Sequence, residues 1–284
     1  MISDLIYLDN IIQRALEEDI GQGDVTTDSI IDPHAAGKAV LLAKENMILA
    51  GLPLFSMVFT LLDPELQFDY MYQDGATVQG GEIICRISGR LAPILKAERT
   101  ALNFVQRMSG IASLTNDYIE RAGRGKVKIL DTRKTIPGLR ALDKYAVRMG
   151  GGFNHRIGLF DGILIKDNHI AAAGSIAKAV ALARTNAPHT LKVEVEVETL
   201  VQVQEALESG ADIIMLDNMP IDTMKQAVNL INRKALVEVS GGVTLGNIPE
   251  VAEIGVDFIS IGALTHSAKA MDLSLEILPQ DKGL

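Results

Sequence analysis

Residues 191–218 read LKVEVEVETLVQVQEALESGADIIMLDN, and the fold turns on them. Leu191–Val197 is a β-branched run, a helical stretch follows, and Asp212–Leu216 is a second β-rich run closed by Asp217-Asn218. Strand, helix and strand in this order are the repeat of a parallel sheet or barrel. The rhythm extends both ways. Val127–Leu130 and Gly162–Ile165 precede it, and Leu236–Val239 and Phe258–Ile261 follow it. Six strands are expected, and the longer segment from Arg133 to Phe160 leaves room for a seventh.

Upstream of about residue 109 the elements are mixed. Leu8, Ile11, Ile12, Ala15 and Leu16 have helical spacing, with Gly21 as a stop. Lys38–Lys44 reads as a strand, and Leu52–Leu62 as a buried helix that tolerates Pro53 in its first turn. Leu66–Tyr72 and Glu82–Ile87 read as strands around turns at Asp74-Gly75 and Gly80-Gly81, and a helix spans about Pro93 to Met108. This pattern predicts an α+β layer with an antiparallel sheet.

The bulk properties narrow the function. Hydrophobic residues make 48% of the 284 and charged residues 22%, an ordinary globular balance. Aromatics are 4% with no Trp, so stacking platforms for single-stranded nucleic acid are not expected. The net charge of −9 disfavours a general nucleic-acid or anionic-membrane surface. The first basic residue is Arg14, so no secretory signal is expected, and the longest apolar stretch, Met47 to Leu62, is short for a bilayer span. One cysteine, Cys85, fits a reducing compartment, and a cytoplasmic location is expected.

The chemistry sits where the strands end. Asp131, Arg133 and Lys134 follow the first barrel strand; Lys166, Asp167, Asn168 and His169 follow the second; Glu194 and Glu196 lie within the third. The fourth ends at Asp217-Asn218, the fifth at Ser240-Gly241-Gly242 and the sixth at Gly262-Ala263. Parallel strands bring these ends to one face, where barrel enzymes build their sites. Helix caps account for Asp, Asn and Ser at such places, but not for Lys, Arg and interior Glu. The segment from Asp131 to Lys166 holds seven cations against three acids, a net +4 in an acidic chain. That concentration predicts a small anionic ligand in a pocket. A solvated helix around Leu139–Met149 accounts equally well for Arg140, Lys144 and Arg148, but poorly for Arg133, Lys134 and Arg156.

The alternation at 193–198 puts three glutamates on one strand face. Alternation more often marks an exposed face, yet a parallel strand between helical crossovers is buried on both. A buried carboxylate face needs cations or a metal, and Lys166 and Mg²⁺ are natural partners. Glu196 and Asp217 offer oxygen ligands suited to a hard divalent ion. Ser240, Gly241, Gly242 and Gly262 let backbone approach a phosphate closely. His34, His189 and His266 read as structural or surface residues. The residues alone also allow a Schiff-base aldolase-like barrel using Lys166, and a non-catalytic sensor of anionic metabolites.

Longer motifs carry a resemblance. Asp131-Thr132-Arg133-Lys134-Thr135, Asn154-His155-Arg156 and Lys166-Asp167-Asn168-His169 resemble the signature of the quinolinate phosphoribosyltransferase family. Glu98-Arg99-Thr100-Ala101-Leu102-Asn103, Ser109-Gly110-Ile111-Ala112, Glu194-Val195-Glu196-Val197, Leu216-Asp217-Asn218, Ser240-Gly241-Gly242, Glu18-Asp19 and Gly23-Asp24 extend it over nearly the whole chain. The resemblance implies an α/β protein with an N-terminal α/β sandwich domain, residues 1–109 joined by the tail 268–284. It also implies an open, incomplete α/β (TIM-like) barrel over 110–267. The implied reaction joins quinolinate to phosphoribosyl pyrophosphate and gives nicotinate mononucleotide, pyrophosphate and CO₂, with Mg²⁺ as cofactor. Arg99, Arg133, His155, Arg156 and Lys166 would bind quinolinate. Lys134, Glu196, Asp217, Ser240, Gly241, Gly242 and Gly262 would bind phosphoribosyl pyrophosphate, with Glu196 and Asp217 at the metal. Lys134, Lys166, Glu196 and Asp217 would carry the catalysis. The minimal active unit would be a homodimer with shared sites, Arg99 coming from the partner chain, and higher oligomers could be built from it. A relative on the same fold that handles another acid, such as the homologue associated with molybdenum transport, would share most of these features.

Overall fold

A computed structural model describes residues 8–125 and 127–279; the ends of the expected segments, 1–7 and 280–284, lie outside them. In chain order the elements are α1 Leu8–Ile20, α2 Val25–Ile30, β1 Ala36–Ala43, β2 Met47–Ile48, α3 Leu52–Leu62, β3 Gln67–Tyr70, β4 Thr77–Val78, β5 Ile83–Arg90 and α4 Leu91–Ala122. There follow β6 Lys128–Leu130, α5 Arg140–Met149, β7 Ile163–Ile165, α6 Asp167–Ala173, α7 Ile176–Asn186, β8 Val193–Val197, α8 Leu200–Glu208 and β9 Ile213–Asp217. The last are α9 Ile221–Ile231, β10 Leu236–Ser240, α10 Ile248–Glu253, β11 Phe258–Ser260, α11 Ala263–His266 and β12 Leu273–Ile277. They form two compact units. One takes Met1–Leu114, Ile136–Gly151 and Ser267–Leu284; the other takes Thr115–Thr135 and Gly152–His266.

The first unit is built on an antiparallel sheet ordered β12-β1-β5-β3. β12 pairs with β1 from Ala39↔Ile277 to Ala43↔Leu273, so the C-terminal strand closes this sheet's edge. Helix α3 is apolar nearly all round, and Leu54, Phe55, Val58 and Phe59 are fully buried. The Phe55 and Phe59 rings meet edge to face at 4.9 Å. Such a helix finds its place only inside a core. Its amide N–H groups at Gly51 and Leu52 have no side-chain cap of their own. Asp74 supplies one, accepting from Gly51 N at 2.8 Å and Leu52 N at 3.0 Å, and from the Tyr145 hydroxyl at 2.7 Å.

Helix α4 runs past the Met108 end read from the sequence. Ile94, Ala97, Ala101, Val105 and Met108 make a buried stripe at helical spacing. The next two residues belong to tertiary packing and do not stop the helix. Ser109 Oγ donates to Ala50 O and accepts from Ala50 N. A Cβ on Gly110 would stand 1.9 Å from Lys269 O, so only glycine fits there. Helix α5 corrects the solvated reading of Leu139–Met149 at Lys144, while Arg148 is exposed as that reading expects. Asp143 and Lys144 are buried, and Asp143 accepts from Arg107 Nη2 at 2.8 and 2.9 Å and from Ile136 N at 3.3 Å.

The second unit holds six parallel strands ordered β6-β11-β10-β9-β8-β7. Among the described residues β6 and β7 do not pair, so the barrel is open. No seventh strand fills the segment from Arg133 to Phe160; a single bridge, Leu130↔Phe153, stands there beside α5. Val193, Val195 and Val197 are buried on one face of β8, and Glu194 on the other. The strand is therefore covered on both sides, as parallel strands are.

The cap on α3 is testable. Asp74→Ala removes three hydrogen bonds and should lower stability by about 2–3 kcal/mol, with Asp74→Asn intermediate. Urea unfolding of the three proteins measures it; equal midpoints for wild type and Asp74→Ala would show that the cap contributes nothing.

Candidate active site

The C-terminal ends of all six parallel strands open into one pocket of about 650 Å³. Its lining includes Arg133, Lys134, His155, Arg156, Lys166, Glu196, Asp217, Ser240, Gly241, Gly242 and Gly262. Eleven of the twelve site residues read from the sequence thus meet in one place, all within the second unit. The twelfth, Arg99, is exposed on α4 in the first unit and is not part of this lining.

Each wall has a local cause. Asp131, fully buried at the end of β6, accepts from His155 N at 2.9 Å and from Asn154 Nδ2 at 2.5 Å. It fastens the Asn154-His155-Arg156 stretch to the strand that delivers Arg133 and Lys134. Arg156 Nη1 donates to Gly162 O at 2.9 Å, and the missing Cβ of Gly162 makes room for the arginine stem. Burial, then the neighbouring Arg133 guanidinium, pull Arg156 below the usual arginine range, while Glu194 and Asp161 oppose them. Two neighbouring guanidiniums, their repulsion partly relieved by a buried carboxylate, offer planar donors suited to an anion.

The opposite wall carries the carboxylates. Lys166 Nζ is ion-paired with Glu196 Oε2. Asp217 ends the adjacent strand and accepts from Asn218 Nδ2 at 2.8 Å. Below His155 lies a second, buried group. His155 Nε2 is 3.2 Å from Glu194 Oε2 and 3.6 Å from Glu238 Oε1. The Glu238 carboxyl is pushed up to about 8, first by burial and then by the Glu194 charge.

The remaining wall is glycine. Gly241 and Gly242 take φ of +79° and +65°, a region that side chains rarely adopt. A Cβ on Gly241 would lie 2.3 Å from Asn218 Oδ1. Asn218 itself has φ +50° and donates its N–H to Ser240 O at 3.0 Å. At Gly262 a Cβ would lie 2.9 Å from Lys134 Cδ and 3.2 Å from His266 Nε2. Asn218 and His266 are pocket residues without an assigned role in the sequence reading. His266, read as structural or surface, is exposed and also lines this pocket. Its position one helical turn beyond Gly262 was the available signal.

Known proteins share the sequence pattern and the fold. Residues 24–109 match the quinolinate phosphoribosyl transferase N-terminal domain, and 111–276 match the C-terminal domain of the same family. The probable nicotinate-nucleotide pyrophosphorylase (carboxylating) of Bacillus subtilis is 45% identical over 272 residues, spanning 96% of this chain and 94% of that protein. Its counterpart in Synechocystis sp. is 46% identical over 276 residues, spanning 96% and 93%. The crystal structure of NadC from Streptococcus pyogenes superposes with a TM-score of 0.93 at 46% identity, covering 97% of this chain and 99% of that one. Among the described residues no helix is long and apolar enough to cross a membrane. With both domains matched and nearly the full length aligned, the chain belongs to the quinolinate phosphoribosyl transferase family.

Proposed function

We propose that this protein joins quinolinate to phosphoribosyl pyrophosphate and releases nicotinate mononucleotide, pyrophosphate and CO₂, a step of de novo NAD synthesis. One observation carries the reading: a single pocket lined by two guanidiniums, two ammoniums, two carboxylates and two glycine loops. Quinolinate brings two adjacent carboxylates, which Arg133 and Arg156 bind through planar, charge-assisted pairs. Ser240, Gly241, Gly242 and Gly262 take the 5′-phosphate, where backbone can approach it closely. Lys134 packs over Gly262 and holds charge at that end. Lys166 stands with Glu196 between the two substrates.

Glu196 and Asp217 fit a Mg²⁺ ion, since both are oxygen donors and lie on adjacent strands. Bound there, the ion would add positive charge at the pyrophosphate oxygens. The chain's own residues orient the rest. As the bond from the ribose anomeric carbon to pyrophosphate breaks, positive charge builds on that carbon. Glu196 and Asp217 face the ribose hydroxyls, and Lys134 and Lys166 stabilise the departing oxygens. The pyridine nitrogen then bonds to the anomeric carbon. The ring is now cationic, so the carboxylate beside the nitrogen leaves as CO₂, and its electron pair stays on the ring carbon until a proton arrives. Orientation and electrostatics are the protein's share. The site is completed by Arg99 of a second copy, which makes a homodimer the active unit. A cytoplasmic location fits a chain whose one cysteine, Cys85, is free and buried.

Three outcomes are expected. Purified protein should release CO₂ only with quinolinate, phosphoribosyl pyrophosphate and Mg²⁺ together, and Arg133→Ala or Arg156→Ala should raise the quinolinate KM about tenfold or more. Turnover without quinolinate, or normal KM values in both variants, would end the assignment. Glu196→Gln and Asp217→Asn should shift the Mg²⁺ titration and the phosphoribosyl pyrophosphate KM; an unchanged metal requirement would make these carboxylates purely structural. Mixing inactive Arg99→Ala chains with inactive Arg133→Ala chains should restore some activity, because one site of each mixed dimer keeps both arginines. No recovery after verified subunit exchange would remove Arg99 from the partner's site.

A further inference from the structure

Glu238 is not among the residues that bind or transform substrate in the reading above, yet it is buried under His155. Its side chain is 2% exposed, that of Glu194 7% and that of His155 12%. Glu194 Oε1, Glu238 Oε1 and Ser260 Oγ have no hydrogen-bond partner among the described residues. Two ionised carboxylates cannot bond to each other; a proton on one of them makes a donor. The imidazole above them is constrained at both nitrogens. Nδ1 accepts the backbone N–H of Arg156 at 2.7 Å, so it keeps its lone pair, and Nε2 carries the ring proton toward Glu194.

We infer that Glu238 is a positioning residue: its carboxylic acid donates to Glu194, Glu194 receives His155 Nε2–H, and His155 Nδ1 receives the Arg156 N–H, so that this chain of bonds sets where Arg156 meets a dicarboxylate. The inference rests on the proposed quinolinate site and names what supports it from beneath. The groups acting on Glu238 are Glu194 from β8, His155 from the loop before β7 and Ser260 from β11; Met215 of β9 and Phe258 of β11 flank it in register. Burial and the Glu194 charge raise its carboxyl to about 8, so at neutral pH the acid form prevails. One negative charge, not two, then lies beneath the arginines. A second would compete with the substrate's own carboxylates.

The test compares Glu238→Gln, which keeps a donor, with Glu238→Met, which removes it. Glu238→Gln should keep the neutral-pH quinolinate KM within about threefold of wild type, and Glu238→Met should raise it about tenfold, with kcat and the phosphoribosyl pyrophosphate KM little changed. In wild type the quinolinate KM should climb as pH passes about 8, and in Glu238→Gln that climb should vanish. A second readout needs no substrate. Nitrogen-15 NMR of His155 should report the neutral Nε2–H form in wild type and in Glu238→Gln, and a mixture of tautomers or imidazolium in Glu238→Met. The inference is overturned if Glu238→Met is folded with a wild-type imidazole signal, or if Glu238→Gln behaves like Glu238→Met. It is equally overturned if Mn²⁺ titration shows an ion held by His155, Glu194 and Glu238, because the acid would then be a ligand. If wild type does not turn over quinolinate, the proposed function fails alone, and the imidazole signals still decide the chain of bonds.

Discussion

A carboxylate inside a parallel sheet must find a cation, a proton or a donor, because desolvating an unpaired charge costs far more than any packing gain returns. The second unit places Glu194 and Glu238 in that position, on β8 and β10. Much of the pocket's shape follows from how they are answered. His155 turns its Nε2 down to them, and its backbone is tied to the buried Asp131. Arg156 is then fixed by its neighbour's ring and by Gly162. The Glu194 charge in turn offsets part of the repulsion between Arg156 and Arg133. The guanidiniums that face the pocket can stand close together because an anion lies beneath them.

The reading of the sequence succeeded where geometry leaves no choice. Ends of parallel strands converge whatever the lengths of the intervening helices, so Arg133, Lys166, Glu196, Asp217, Ser240 and Gly262 could be placed in one pocket from strand boundaries alone. Of the alternating glutamates, Glu194 is buried as crossovers over both faces of β8 require, while Glu196 is half-buried at the pocket and Glu198 is exposed. Properties set by distant partners were not legible. The continuation of α4 through Ser109 and Gly110 depends on Ala50 and Lys269, far away in sequence. The burial of Asp143 depends on Arg107, and a helix as charged as α5 gives no local sign of it. Asn218 was placed at a strand end but given no role, and His266 was set apart from the site, for a related reason. What each does is defined by the glycine beside it.

Those glycines do two jobs with one missing atom. A Gly-Gly pair after a strand reads as room for a phosphate, and the open backbone at Gly241 and Gly242 keeps that meaning. The space a Cβ would fill at Gly241, however, is taken by the Asn218 side chain, and at Gly262 by the stem of Lys134. The loop after β9 is therefore fitted to the loop after β10, and the loop after β6 to that after β11, by contacts made where the glycines lack a Cβ. A substitution there would move Lys134 or Asn218 before it touched any ligand, and loss of phosphate affinity alone would not separate the two effects.

The same interdependence bears on charge. In the proposed reaction the pocket holds a dicarboxylate, a pyrophosphate and a 5′-phosphate, yet its lining also includes Glu196 and Asp217, with Glu194 and Glu238 buried behind it. Positive charge is spread over Arg133, Lys134, Arg156 and Lys166, and the acids divide by position. Glu196 and Asp217 lie at the pocket face, where a substrate's hydroxyls can reach them. Glu194 and Glu238 lie within the sheet beneath His155. A low local dielectric strengthens every interaction of that inner pair, so one proton there changes the field at the arginines more than a surface charge at the same distance could. The inner acids thus set the background against which the outer residues select an anion, and the proton on Glu238 is the part of that background the protein's own burial supplies.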